Sequence, residues 1–317
     1  MKALLFPGQG SQKAGMASEF EKNFKIVKEI FKRADETLNI KLSELILNGP
    51  EEDLKKTEIT QPAILTTSYA IFEVIKKEIN IDQKNFKFFA GHSLGEYSAL
   101  VSSGSLKFED ALKLVHQRGK FMQSAVPEGE GAMLAVMGVD IKSLVKFLEE
   151  LKNKNGICEI ANDNSNGQII LSGDKKSIQD INTILANNKK RSIFLPVSAP
   201  FHCSLMKPAS EKMSFLINET EMKDSVFELV NNVTAEPVKS SNEIKNLLIK
   251  QIFSKVRWRE SVEYMISKDI TDFIEVGPGK VLTGLVKRIS DKVSCASINT
   301  IEDIKKIKWL ILKIKKY

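Results

Sequence analysis

Residues 91–95 read Gly91-His92-Ser93-Leu94-Gly95, a serine between two glycines at the spacing used by nucleophilic acyl chemistry. A turn that tight, leading from strand into helix, needs small flanking residues and lifts the serine clear of the backbone, close to the first amides of the helix. The neighbouring residues supply that setting. Lys87-Phe88-Phe89-Ala90 reads as an apolar strand, and Glu96-Tyr97-Ser98-Ala99-Leu100 as the start of a helix. The competing reading is a small-residue turn without chemistry.

A serine hydroxyl needs a base to take its proton, most often a histidine, and the chain has three. His92 adjoins Ser93 and points elsewhere on a strand-like bend, as a support for the turn. His116 lies mid-helix among polar residues and reads as a surface side chain. His202 remains, in the irregular Pro200-Phe201-His202-Cys203 stretch just before a helix, where a rigid scaffold can present a catalytic group; a buried structural histidine is the alternative. Among 47 Lys and Arg residues only six are Arg, so an arginine such as Arg118 stands out as chosen for its planar fork, or else as a helix-surface cation.

The elements that must position these groups can be traced in order. Lys2–Phe6 reads as a buried first strand ending in Pro7-Gly8-Gln9-Gly10-Ser11-Gln12, a loop that either turns the chain or offers backbone amides to a charged oxygen. It lacks the further glycine of a dinucleotide fingerprint and the Lys-Ser/Thr of a phosphate loop. The periodicity predicts one helix over Glu19–Leu38, a second from Thr60 to Ile79 with Pro62 in its first turn, and a third over Leu106–Gln123. Residues 132–195 then alternate as strand, helix, strand, strand, helix, strand, the ferredoxin-like βαββαβ order. Val197-Ser198-Ala199 returns the chain to the first unit, where Ser204–Asn218, Glu243–Phe253 and Arg259–Ser267 read as helices, Phe227–Asn231 and Asp272–Val276 as strands, and the last residues as a Lys-rich tail.

The 317 residues, 42% hydrophobic, suffice for one large domain with a smaller insertion. No signal h-region and no membrane-spanning run is present, and a cytoplasmic protein is expected. Three cysteines, Cys158, Cys203 and Cys295, with no Cys-x-x-Cys pair, support neither a disulfide framework nor a zinc cage, so no metal is expected. The formal charge of +7 reads either as a Lys-rich solvated surface or as attraction for an acidic or phosphate-bearing partner.

Taken together, Phe6-Pro7-Gly8-Gln9-Gly10-Ser11-Gln12, Gly91 to Glu96, Gln117-Arg118-Gly119 to Met122-Gln123, Ala199-Pro200-Phe201-His202 and Glu275-Val276-Gly277-Pro278-Gly279 resemble the malonyl-CoA:acyl carrier protein transacylases of bacterial type II fatty acid synthesis, over nearly the whole chain. The resemblance implies an α/β fold, an α/β-hydrolase-like large domain (1–125 and 197–317) interrupted by a ferredoxin-like subdomain (126–196). It implies Ser93 as the acyl-accepting nucleophile, His202 as base and then acid, the amides of Gln9 and Leu94 as oxyanion hole, the Gln251 carbonyl orienting the histidine, Arg118 binding the malonate carboxylate, and Phe201 excluding branched acyl groups. The implied partners are malonyl-CoA and an acidic, phosphopantetheinylated acyl carrier protein; no cofactor, nucleic acid or membrane is implied, and a monomer is expected. A serine esterase or thioesterase would share the turn but pass the acyl group to water, and a non-catalytic carrier-docking module would keep the fold alone.

Overall fold

The computed structural model describes residues 1–78, 86–151, 156–197 and 199–312, with side chains up to residue 307; Ile79 and Ser198 lie outside the described residues. Among the described residues ten strands form two sheets. Strands β1 (Lys2–Phe6), β2 (Phe86–Gly91), β7 (Glu228–Val230), β8 (Pro237–Val238), β9 (Asp272–Val276) and β10 (Ser294–Ile298) make the larger, in the order β10-β9-β1-β2-β7-β8. Only β8 runs antiparallel to its neighbour. A parallel sheet is covered on both faces, and the period-2 alternation of β1 divides its side chains accordingly. Leu4 and Phe6 face Phe72 and Phe89 beneath the long helix Thr57–Glu78, whereas Ala3 and Leu5 face Trp258, Val262 and Leu285 on the other side.

Strands β3 (Gly131–Met137), β4 (Cys158–Ser165), β5 (Gln168–Asp174) and β6 (Arg191–Phe194) form an antiparallel sheet ordered β4-β5-β3-β6. One face of it, Leu134, Val136, Ile169 and Leu171, packs on the helices Ile141–Glu149 and Lys175–Asn187. Each of those helices starts at an aspartate: Asp140 and Asp174 accept the Ser143 and Ser177 amides at 2.9 and 2.8 Å. The opposite face, with Met133, Ala135 and Ile170, joins the core of the larger unit. Short pairing reinforces that junction: the Asp163 N–H donates to the Val256 carbonyl at 2.9 Å, and the Val256 N–H to the Ala161 carbonyl at 2.8 Å.

Five features depart from the sequence reading. The first helix is two, Ser18–Asn23 and Lys25–Leu38, because Phe24 adopts an extended conformation (φ −127°, ψ 115°). The second begins at Thr57, which places Pro62 past the first turn, where it has no N–H to give the Glu58 carbonyl. His116 supplies that hydrogen from Nδ1 at 2.8 Å, so it is a part-buried partner of the proline and not a surface residue. The helices Leu42–Asn48 and Glu51–Leu54 were not anticipated, and the Lys-rich tail contains helix Val281–Ile289, edge strand β10 and helix Ile301–Leu312.

Candidate active site

Ser93 lies at the carboxyl end of β2, immediately before helix Gly95–Ser102, with φ 53°. The two flanking glycines are required by proximity. A Cβ on Gly91 would sit 1.9 Å from the Gly95 carbonyl carbon, and one on Gly95 would sit 2.2 Å from the Phe6 carbonyl oxygen at the end of β1. The left-handed backbone at Ser93 is held by Asn232, whose side chain accepts the Ser93 N–H at 2.7 Å and donates to the Gly91 carbonyl at 2.8 Å.

His202, also at positive φ (59°), reaches the serine from the other side of the sequence. Its Nε2 is 2.8 Å from Ser93 Oγ, and its Nδ1 is 2.9 Å from the Gln251 carbonyl. A carbonyl only accepts, so Nδ1 carries the hydrogen and Nε2 presents a lone pair to the serine hydroxyl. Burial, with the Arg118 charge adding to it, pushes the imidazolium down to about 3, so the ring is neutral and ready to take a proton.

Arg118, on helix Phe108–Gln123, is 1% exposed and extends to the same point. Its Nη2 donates to Ser93 Oγ at 3.0 Å and to Gln251 Oε1 at 2.8 Å, and its Nη1 donates to Gln61 Oε1 at 2.8 Å. Nε is buried without an acceptor, and among the described residues no carboxylate forms an ion pair with the guanidinium. A buried cation surrounded by amides is ready for an anion that arrives with a ligand. Gly119 lets the helix approach this closely, since a Cβ there would lie 2.6 Å from the Glu58 Cα.

Gln9 and Leu94 flank the serine on adjacent loops, and among the described residues neither amide N–H has an acceptor. The loops nearly touch: a Cβ on Gly8 would lie 2.5 Å from the His92 carbonyl oxygen. Two free N–H groups beside a nucleophile can hold a developing oxyanion. A cleft of about 240 Å³ opens above them, lined by Gln9, Ser93, Arg118, Phe201 and His202 from the larger unit and by Met133, Asn162, Asn164 and Ile170 from the smaller. His92 faces Asn164, with Nε2 2.8 Å from its Oδ1, and rests near Trp258, so it supports the turn and the smaller sheet together.

Sequence reasoning overlooked Gln61, Asn232 and the Gln251 side chain, and quoted Glu96 only within its motif. The Gln251 amide nitrogen donates to the Ser93 carbonyl at 3.0 Å and to Glu96 Oε2. Gln61 carried one usable signal, its place beside Pro62 on a buried helix; the amides otherwise acquire meaning only from the fold.

The acyl transferase domain family matches residues 3–307. Two curated relatives are named malonyl CoA-acyl carrier protein transacylase. The one from Bacillus subtilis is 44% identical over 95% of this chain and 94% of its own, and the one from Escherichia coli K12 is 42% identical over 94% and 95%. The chain belongs to the malonyl CoA-acyl carrier protein transacylase family. Solved members of the family share the fold throughout. The acyl-carrier-protein-S-malonyltransferase of Bartonella henselae has a TM-score of 0.94 at 36% identity, covering 98% of this chain and 99% of that one. A malonyl-transacylase solved in complex with a type II PKS acyl-carrier protein has a TM-score of 0.93 at 39% identity, with the same coverage. The α/β architecture with a ferredoxin-like subdomain is therefore the family's own.

Proposed function

We propose that this chain transfers the malonyl group of malonyl-CoA to the phosphopantetheine thiol of an acyl carrier protein through a malonyl ester on Ser93. The observation that carries the reading is the convergence on Ser93 Oγ of the His202 imidazole at 2.8 Å and a buried guanidinium at 3.0 Å that has no carboxylate partner among the described residues. Malonyl thioesters have both a carbonyl for the first and a carboxylate for the second.

In the first half-reaction Ser93 Oγ attacks the thioester carbonyl carbon while its proton passes to His202 Nε2. The Gln251 carbonyl, accepting from Nδ1, holds the ring in the correct tautomer and favours the cation that forms. The Gln9 and Leu94 amides receive the oxyanion. Collapse expels the CoA sulfur, which takes the proton from Nε2, leaving the malonyl ester and free CoA. In the second half the carrier thiol gives its proton to Nε2, attacks the ester carbonyl, and Ser93 Oγ leaves with that proton. Arg118 pairs with the distal carboxylate throughout, and Phe201 narrows the cleft against a branched acyl group. No step uses a cofactor. In this reading residues 1–125 and 197–317 carry the chemistry, residues 126–196 roof the cleft, and the carrier is an acidic partner of a protein with net charge +7.

Intact mass after exposure to malonyl-CoA tests the ester: the wild type gains one malonyl group, and Ser93→Ala gains none. Adding carrier protein then separates the alternatives. Malonate release without transfer would make the chain a thioesterase, and absence of any adduct on the wild type would leave only a docking role.

A further inference from the structure

Glu96 takes no part in the reaction as described, yet it is 8% exposed and both of its oxygens are engaged behind the nucleophile. Oε1 accepts the Asn232 backbone N–H at 2.7 Å, and Oε2 accepts the Gln251 side-chain N–H. Asn232 in turn clamps Ser93 and Gly91, while Gln251 touches Ser93, His202 and Arg118.

With Glu96 ionised, Gln251 lies between a carboxylate, which only accepts, and a guanidinium, which only donates. Its amide then has one consistent orientation, nitrogen toward Glu96 and oxygen toward Arg118. We propose that Glu96 is a positioning residue that fixes the orientation of the Gln251 amide and, through it, holds Arg118 where it reads the carboxylate of the acyl group. This rests on the malonyl reading above.

An amide at position 96 removes the constraint. Glu96→Gln has one acceptor oxygen for two donors. If that oxygen stays on the Asn232 N–H, Gln251 must turn and present its own N–H groups to Arg118, donor against donor, and the guanidinium moves. If it serves Gln251, the Asn232 N–H loses its acceptor and the clamp on the turn loosens. The same logic applies to a proton on Glu96. Burial pushes its carboxyl up to about 8, against the opposing effects of the Asn232 and Gln251 N–H groups and of Arg118. The titratable and charged groups around it are Arg118, Tyr97 and, across Gln251, His202.

The test is the ratio of kcat/KM for malonyl-CoA over acetyl-CoA, which does not depend on the fraction of folded enzyme. Measured above the Glu96 value of about 8, where the wild-type carboxyl is ionised, and with Arg118→Ala as the reference for full loss, Glu96→Gln lowers the ratio by about tenfold or more, in the range that unpaired polar groups in a site impose. Glu96→Asp, which keeps two acceptor oxygens, recovers part of it. In the wild type the ratio rises as pH is raised through about 8, and in Glu96→Gln it is flat. A crystal structure of Glu96→Gln supplies a readout independent of catalysis, with Arg118 Nη2 displaced from Ser93 Oγ. An unchanged ratio, or an unmoved Arg118, overturns the proposal. Should the wild type accept no malonyl group, the function reading fails and the position of Arg118 still decides the role of Glu96.

Discussion

Burial and the Arg118 charge hold His202 down to about 3 against an ordinary 6.5, and this fixes the sign of two pH effects. The folded ring stays neutral while an unfolded one would protonate, so its contribution to stability is present above 6.5 and is lost as pH falls from there toward 3. Over roughly pH 5 to 8, kcat/KM for acylation of Ser93 should accordingly show no acid limb from this group; a limb centred near the usual histidine value would place the ring in water. Ser93 and His202 were readable because the chemistry needs scarce residue types, and one of three histidines sat in a suitable loop. Arg118 stood out by rarity. Glu96 and Asn232 did not, because an acid near a helix start and an asparagine in a loop are ordinary. Their function depends on a contact between residues 136 positions apart.

At the scale of elements, the turn at Ser93 exists because β1, β2 and helix Gly95–Ser102 meet without side chains between them. Gly95→Ala would drive a Cβ to 2.2 Å from the Phe6 carbonyl, and backbone cannot yield as a side-chain tip can. A loss of about 1–3 kcal/mol or more is expected, with slower acylation, because the ends of β1 and β2 carry Gln9 and Ser93. Gly284→Ala is the contrast: nothing lies within 4 Å of its Cβ, it is helical, and the change should stabilise by roughly 0.5–1 kcal/mol. Thermal melts of the two variants decide the matter. The buried strands and the βαββαβ run were legible because their apolar residues follow one period. The break at Phe24 was not, since Phe20, Phe24 and Val27 continue the helical spacing across it. The final helix was hidden by its lysines, although Ile304 and Ile307 are buried.

For the molecule as a whole, a net charge of +7 and a cleft open to a carrier-borne thiol make encounter with an acidic partner sensitive to screening. The specificity constant for the carrier should fall steadily with ionic strength, whereas that for transfer to a small neutral thiol should fall much less; equal slopes would remove the electrostatic account. The smaller sheet and the loops at the strand ends of the larger one line the cleft, and backbone pairing of Ala161 and Asp163 with Val256 ties the smaller sheet to the larger unit beside it. If Ser93 attacks as proposed, the Arg118 guanidinium, 3.0 Å from its oxygen, acts as a gauge. In that reading it would meet a carboxylate one carbon behind the reacting carbonyl, so the site would grade its acyl groups by length as well as by charge, and a homologue one methylene longer would have to fold back on itself to be measured at all.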